Sequence, residues 1–223
     1  MGPRRHEGRE GQKEPHVLKL CVVTLVSLVV VAQTSSQAQT ASRARILPLP
    51  VSEWTDADRQ ALGSMAQGDR TIDVFKTCLR NLELCRNWMP FTQYVLGTTN
   101  TVPRRERELV ILRTSWDCQA DYDWAHHVPA AERAGLGDDE ILRISKGPSA
   151  PGWSAFDATL LKATDELHGT QRISETTWKA LAARYNEQQM MDFVFTVGQY
   201  TMVSMFLNSA QVQLEPGLKG LPR

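Results

Sequence analysis

Apolar residues recur at intervals of three and four along most of the chain after residue 52, which is the spacing of helices with one buried face. Residues 82–96 illustrate it, with Leu84, Trp88, Phe91 and Val95 on one side of the predicted helix. Runs in which apolar and polar residues alternate between turn signals, the pattern that predicts strands, are not apparent. The pattern therefore predicts an all-α fold.

Cap and turn residues divide this region into about eight to nine helices. Thr55 or Ser52 caps the first, and Gly135 ends a later one at its C′ position. The other predicted helices begin at Thr71 or cover 82–96, 104–116, 120–134, 138–144, 156–167, 174–184 and 188–210. The last of these is apolar on most of its faces, which is typical of a central buried helix.

The first forty residues have a different pattern. A basic stretch leads into an apolar run over 20–32, and Ser36-Gln37-Ala38 then fits the small-x-small pattern of a signal peptidase site. The run is short for a bilayer span, so we predict a signal peptide over 1–38 rather than an uncleaved anchor. The mature protein is then secreted or periplasmic. A linker over 39–52, a helical domain over 53–217 and a C-terminal tail over 218–223 complete the predicted organisation.

Charge and cysteine content narrow the possible partners and the redox chemistry. The 223 residues carry 25 basic and 25 acidic side chains, which gives no electrostatic reason to expect nucleic acid or, after signal cleavage, a membrane as partner. Cys78, Cys85 and Cys118 remain after signal removal, too few for a disulfide-built scaffold. Cys78 and Cys85 flank a predicted turn, where two buried thiols are favoured over a bridge.

Two side-chain pairs on the predicted helix 120–134 are candidates for chemistry. Asp123 and His127 are four residues apart and so share a face, where a carboxylate fixes the imidazole tautomer and raises its basicity for proton transfer. Tyr122 and His126 form a second such pair. The alternative is a surface ion pair, which this spacing alone favours.

A thiol or a metal at this helix is less well supported by the sequence. Cys118 precedes His127 by nine residues, so on one continuous helix it faces away from the histidine. It joins the site only if the helix begins after it. Asp123 and His127 are two possible metal ligands, but no third or fourth ligand follows at a metal-like spacing, so we predict no metal site.

Two consecutive segments resemble the core signature of the carboxymuconolactone decarboxylase family. They are Pro103-Arg-Arg-Glu-Arg-Glu-Leu-Val-Ile-Leu-Arg113 and Cys118-Gln-Ala-Asp-Tyr-Asp-Trp-Ala-His-His-Val128, continued by Ala134-Gly-Leu-Gly-Asp-Asp-Glu-Ile141. Later segments, Ile173-Ser-Glu-Thr-Thr-Trp178 and Phe195-Thr-Val-Gly-Gln-Tyr200, resemble the C-terminal half of longer members. The resemblance covers roughly residues 54–217 and implies the all-helical alkylhydroperoxidase-like fold, assembled as a homo-oligomer of three or six chains.

The family has two well-known activities, and the resemblance favours one of them. One branch decarboxylates γ-carboxymuconolactone with acid–base groups and no cofactor. The other reduces peroxides with a Cys-x-x-Cys motif, an upstream glutamate and a histidine. In this sequence His127 and Glu108 match the histidine and the glutamate, but Ala120 and Asp123 stand at the two cysteine positions. Because both thiols are missing, peroxidase turnover of the usual kind is not expected.

The sequence therefore predicts an enzyme that applies acid–base chemistry to a small lactone or cyclic carboxylic acid, without cofactor. His127 is expected to transfer the proton, with Asp123 or Glu108 orienting it. Tyr122, Arg113 and His126 are the predicted substrate contacts, although an arginine at position 113 also suits a structural ion pair. Two alternatives stay open: a peroxiredoxin-like antioxidant acting through Cys118, and a non-catalytic helical oligomer that binds a ligand.

Overall fold

The computed structural model describes Gly2 and residues 44–223, and within this part it contains nine α-helices and no strand. The helices are α1 (Asp56–Leu62), α2 (Asp73–Cys78), α3 (Leu82–Leu96), α4 (Arg104–Asp117), α5 (Asp121–Arg133), α6 (Asp138–Ile144), α7 (Ala155–Thr170), α8 (Glu175–Ala182) and α9 (Glu187–Ala210). The all-α prediction is confirmed. The predicted signal peptide and the first residues of the predicted linker fall outside the described residues, apart from Gly2. Within 44–223, no helix combines the length and the hydropathy needed to cross a bilayer.

Local hydrogen bonds fix the helix ends where the sequence predicted them. The Thr55 hydroxyl accepts from the backbone N–H of Asp58, whose carboxylate accepts in turn from the Thr55 N–H, so the two form a capping box before α1. The Ser174 hydroxyl also acts as a cap, and it accepts one backbone hydrogen bond at the start of α8. Gly135 follows α5 with φ +98°, the left-handed conformation expected at a C′ position.

A sharp break separates α4 from α5, and it lies later than the sequence predicted. Gln119 adopts φ +53° and Ala120 is the N-cap residue, so α5 begins at Asp121, one residue after the predicted start at Ala120. Cys118 is thereby the C-cap of α4. The two helices pack against each other on either side of this break. Side chains of α4 and α5 therefore meet in one site.

The central helix of the fold is α4, and not α9 as the apolar pattern predicted. Every residue over 106–115 is buried, because α4 packs against α5, α7 and α9. By contrast, α9 buries one face and leaves large apolar side chains on the other exposed, among them Met191, Phe195, Met202 and Met205. The sequence shows that α9 is apolar on most of its faces, which predicts a central position. Composition alone does not show which of these faces packs against a neighbouring helix.

The three described cysteines are free thiols. Cys78 ends α2 and Cys85 lies in the first turns of α3, and both are buried in one apolar cluster. Contact with the Cys85 thiol and burial raise the pKa of Cys78. The structure therefore agrees with two buried thiols rather than with a bridge.

Candidate functional site

A hydrogen bond between α4 and α5 joins two of the predicted catalytic residues. His127 Nδ1 lies 2.7 Å from Glu108 Oε2, and both side chains are largely buried. Because a carboxylate only accepts hydrogen bonds, Nδ1 carries the proton and donates it. The other ring nitrogen, Nε2, forms no hydrogen bond within the described residues. The pair therefore presents a basic nitrogen with a fixed tautomer.

The ring of His127 is also held in place by Tyr200 on α9. The two rings meet edge to face, with 4.8 Å between their centroids and 87° between their planes. Burial, together with the charges of Asp123 and Glu108, raises the pKa of Tyr200 well above its usual value. Its hydroxyl, which has no hydrogen-bond partner in the described part of the chain, is therefore a protonated donor beside the imidazole.

Asp123 does not bind His127, although the two are four residues apart on α5. Its Oδ2 accepts a hydrogen bond of 2.9 Å from the Ser204 hydroxyl on α9. Burial raises the pKa of Asp123 to about 6, although His127, Ser204 and His126 act to lower it. Of the two residues expected to orient the histidine, the geometry selects Glu108, and Asp123 is a buried acid close by.

A cavity of about 320 Å³ opens beside these residues. One part of its wall is apolar and is formed by Met65, Ile72, Val74, Phe75, Trp88, Leu96, Ala130 and Val203. The other part is polar and is formed by Thr92, Arg104, Arg107, Glu108, Tyr122, Asp123, His126, His127, Gln199 and Tyr200. A concave, mostly apolar site with converging polar groups is the usual form of a small-molecule site.

Two arginines that were not among the predicted site residues line the same cavity. Arg107 is buried and donates to the carbonyl oxygens of Gly97 at 2.9 Å and Leu96 at 3.3 Å. Arg104 is exposed and forms no ion pair within the described residues. It therefore leaves a free cation at the cavity wall.

Tyr122 and His126, the predicted substrate contacts on α5, line the cavity, but their polar atoms bind Glu215. The Tyr122 hydroxyl donates to Glu215 Oε1 at 2.8 Å, and His126 Nε2 lies 2.7 Å from Oε2. The Asp73 N–H donates to the same carboxylate at 2.8 Å. Burial alone would raise the pKa of Glu215, but these hydrogen bonds lower it to about 2. The three contacts fasten the C-terminal segment to α5 and α2.

Arg113, the third predicted substrate contact, lies outside this cavity. Its Nε donates to Asp165 at 2.6 Å, its Nη1 donates to the Ile144 carbonyl at 2.9 Å, and its Nη2 lies 3.2 Å from Asp117. All three sides of the guanidinium are occupied. The structural ion pair that the sequence left as the alternative is what the structure contains.

Cys118 is also outside the residues that line the cavity. Its Sγ lies 3.7 Å from Nδ1 of His168 on α7. Burial raises the pKa of the thiol, which opposes formation of the reactive thiolate. In the described part of the chain, no cluster of three His, Cys, Asp or Glu side chains suits a metal ion.

Several residues of the site were missed because they lie far away in sequence. Tyr200, Ser204 and Gln199 come from α9, and Glu215 follows that helix. One feature of the sequence could have indicated Tyr200, Ser204 and Gln199. They are polar residues on an otherwise apolar helix, and buried polar groups need hydrogen-bond partners. For Glu215 the sequence contains no comparable signal.

Comparison with known families identifies the segment that carries the site. Residues 83–166 match the sequence model of the carboxymuconolactone decarboxylase family. This confirms the resemblance over the motifs at 103–113, 118–128 and 134–141, and the match covers α4, α5 and α6 together with most of α3 and α7. The motifs at 173–178 and 195–200 lie outside the matched residues. A search of curated proteins found no match.

Solved structures share the fold at low sequence identity. A peroxidase-related protein from Silicibacter sp. TM1040 has a TM-score of 0.66 and 15% identity, and the match covers 79% of this chain and 95% of that one. A putative antioxidant defence protein AhpD from Agrobacterium tumefaciens has a TM-score of 0.57 and 16% identity, covering 62% and 94%. A variant of the debrominase Bmp8 in complex with 2,3,4-tribromopyrrole has a TM-score of 0.62 and 13% identity, covering 77% and 91%. These likenesses establish the alkylhydroperoxidase-like fold.

Proposed function

We propose that this chain, whose residues 83–166 carry the carboxymuconolactone decarboxylase family signature, is an enzyme that transfers a proton to or from a small lactone or cyclic carboxylic acid. The observation that carries the proposal is the Glu108–His127 pair, which presents an unpartnered Nε2 beside a cavity of about 320 Å³. A histidine oriented in this way by a buried carboxylate is suited to general acid–base catalysis.

In a decarboxylation, the bond between the carboxylate carbon and the ring breaks and its electron pair stays on the ring carbon as an enolate. Carbon dioxide leaves, and the ring carbon then takes up a proton. His127, protonated at Nε2, supplies that proton, while the carboxylate of Glu108 stabilises the imidazolium before the transfer. The hydroxyl of Tyr200, protonated at all ordinary pH values, is placed to donate a hydrogen bond to the enolate oxygen.

The composition of the cavity supports an anionic substrate with an apolar ring. Val74, Phe75 and Trp88 contribute apolar wall against which a ring can pack. Arg104 contributes a cation that no described residue neutralises, and such a group attracts a carboxylate. The mixture favours a small carboxylic acid over a neutral apolar ligand.

A thiol peroxidase acting through Cys118 is the weaker candidate. The thiol has a neighbouring imidazole, His168, at 3.7 Å, but its pKa is raised, and it does not line the cavity. The second alternative, a ligand-binding protein without catalysis, shares the cavity with our proposal, so the two differ only in whether bound ligand is turned over.

The test is a panel of carboxylated lactones, with γ-carboxymuconolactone among them, incubated with the purified chain while carbon dioxide release is measured. We expect His127→Asn and Glu108→Gln to abolish or strongly reduce any turnover found. His168→Asn is the matched control, since this histidine lies outside the cavity, and it should retain full activity. Turnover that survives His127→Asn contradicts the site, and hydroperoxide reduction that is lost in Cys118→Ser supports the peroxidase instead.

A further inference from the structure

Arg107 is the most deeply buried of the arginines on α4, and no carboxylate of the described residues forms an ion pair with it. It is 5% exposed, against 9% for Arg113. Arg105 and Arg113 each form ion pairs with two carboxylates. Arg107 donates instead to the carbonyl oxygens of Gly97 and Leu96, which carry no net charge. Buried charges are usually paired, so an unpaired cation at a cavity wall indicates a site for negative charge.

The two acids whose charges act on Arg107 bind other groups. Glu108 accepts the hydrogen bond of His127, and Asp192 accepts that of the Tyr94 hydroxyl. Burial lowers the pKa of Arg107, although both acids act to raise it. A guanidinium nevertheless stays protonated at ordinary pH. Arg107 therefore brings a permanent positive charge to the cavity, and within the described chain no ion pair uses it.

Arg107 and Tyr200 both have unused hydrogen-bond donors at this cavity. Both residues line it, and each is 5% exposed. Two of the five N–H groups of the guanidinium bind the carbonyls of Leu96 and Gly97, and Nε is buried without a partner in the described part of the chain. The positive charge of Arg107 is also near enough to act on the pKa of the Tyr200 phenol. Two neighbouring donors without acceptors are suited to one acceptor on a ligand.

The proposed decarboxylation creates negative charge in a cavity that already contains two carboxylates. Departure of carbon dioxide leaves an electron pair on the ring carbon, and this pair delocalises onto the enolate oxygen. Glu108 and Asp123 line the same cavity, and at pH 7 their charges repel that oxygen. The hydroxyl of Tyr200 is neutral, so it offsets none of this repulsion. A buried cation does offset it.

We propose that Arg107 is a catalytic residue of this site, which donates an N–H bond to the enolate oxygen alongside the hydroxyl of Tyr200. The inference rests on the proposed function and adds the group that stabilises its intermediate. No proton passes to the oxygen: Arg107 remains a guanidinium, Tyr200 remains a phenol, and His127 delivers the proton to carbon. The two arginines of the cavity then have different roles. Exposed Arg104 meets the substrate carboxylate, and buried Arg107 meets the charge that forms during the reaction.

The test uses 4-nitrophenol, a small ring that offers the cavity either a neutral hydroxyl or an oxyanion delocalised like that of an enolate. Its colour reports its ionisation, so absorbance titrations at two pH values give separate dissociation constants for the phenol and the phenolate. In about 0.5 M salt, which screens exposed charges such as Arg104, we expect the wild type to bind the phenolate roughly 10-fold more tightly than the phenol. Arg107→Gln and Tyr200→Phe should each remove most of this preference, with the helical circular dichroism unchanged.

Two further variants control for loss of charge and for misfolding. Arg105→Gln removes a cation from the same helix, but Arg105 does not line the cavity, so the preference for the phenolate should be retained. Arg107→Lys is used in case Arg107→Gln does not fold. Lysine keeps the charge but lacks the planar fork that reaches two carbonyls and a ligand at once, so we expect an intermediate preference.

The outcomes decide whether Arg107 contacts an oxyanion. Equal affinity of the wild type for phenol and phenolate, or binding of neither, overturns the proposal. A wild-type preference that persists in the folded Arg107 variants overturns it as well, because Tyr200 alone would then hold the oxyanion. The probe contains no carboxylate to lose, so its binding is measured whether or not the proposed turnover is found. Where turnover is found, Arg107→Gln should lower kcat, in contrast to the effect on KM expected of Arg104→Gln.

Discussion

Glu108 on α4 and His127 on α5 lie nineteen residues apart and are joined by a hydrogen bond of 2.7 Å at the cavity wall. The break at Gln119 and Ala120 makes this possible, because it ends α4 and starts α5 at an angle that brings the two side chains together. The carboxylate fixes which imidazole nitrogen carries the proton, and the remaining nitrogen is left for a substrate.

Glu108→Gln tests whether this carboxylate acts through its charge. The amide oxygen of glutamine still accepts the Nδ1–H bond, so the ring orientation and the fold are retained, but the stabilisation of the imidazolium is lost. We expect the kcat of any turnover found to fall roughly 10²-fold with little change in KM, measured by steady-state kinetics. Equal activity of the variant and the wild type would mean that the charge of Glu108 makes no contribution to catalysis.

Asp123→Asn tests the buried acid, whose pKa is raised to about 6. Between the usual pKa of an aspartate and pH 6, the folded chain binds more protons than the unfolded chain, so stability falls as the pH rises through this window. Asparagine does not ionise, so this loss of stability with rising pH does not occur in the variant. Its amide oxygen still accepts the Ser204 hydrogen bond. We expect the variant to be more stable than the wild type at pH 8 by about 2 kcal/mol, and equally stable near pH 3.5.

The measurement is urea unfolding at both pH values, with Asp69→Asn as the control for an exposed carboxylate. A constant difference between the Asp123 variant and the wild type at the two pH values would show that ionisation of Asp123 does not control stability.

The helix order could be predicted from the sequence, because apolar periodicity and caps are local signals. The site could be predicted only in part. The run Arg-Arg-Glu-Arg-Glu alone reads as a charged first turn with acids near the positive end of the helix. In the structure, however, Glu106 binds Arg184 and Tyr185, Arg107 binds the carbonyls of Leu96 and Gly97, and Glu108 binds His127. Each partner comes from another element, and no spacing within α4 contains that information. Resemblance to a family, and not periodicity, selected Glu108.

Glu215 provides the next prediction, which concerns acid stability. Its pKa is held at about 2 by His126, the Asp73 N–H and Tyr122, so it contributes stability at pH values above its unfolded pKa and loses it as the pH falls toward 2. Glu215→Gln should lower the free energy of unfolding at pH 6 by about 2 kcal/mol and have little effect at pH 2.

Thermal unfolding followed by circular dichroism at the two pH values checks this. Glu187→Gln is the matched control, because Glu187 is exposed at the start of α9 and forms no ion pair within the described residues. If the Glu215 variant lost the same stability at both pH values, the contribution would come from packing rather than from the charge.

Arg113 and Arg104 differ in a way that a pair of variants can measure. Arg113 is buried against Asp165, Asp117 and the Ile144 carbonyl, so Arg113→Met leaves these acceptors without their partner. Removing one side of a buried ion pair costs about 3 kcal/mol, and we expect that loss in urea unfolding at pH 7. Because the side chain lies outside the cavity, the KM of the folded fraction should be unchanged.

Arg104→Gln should have the opposite effects: a nearly unchanged free energy of unfolding and a raised KM. Arg104 is exposed and without an ion pair in the described residues, so its replacement should change the free energy of unfolding by about 0.5 kcal/mol or less. Because it lines the cavity, an anionic substrate loses its cationic contact, and KM should rise about 10-fold. If Arg113→Met raised KM and Arg104→Gln did not, the substrate carboxylate would bind at Arg113 after all, and the cavity beside His127 would not be its site.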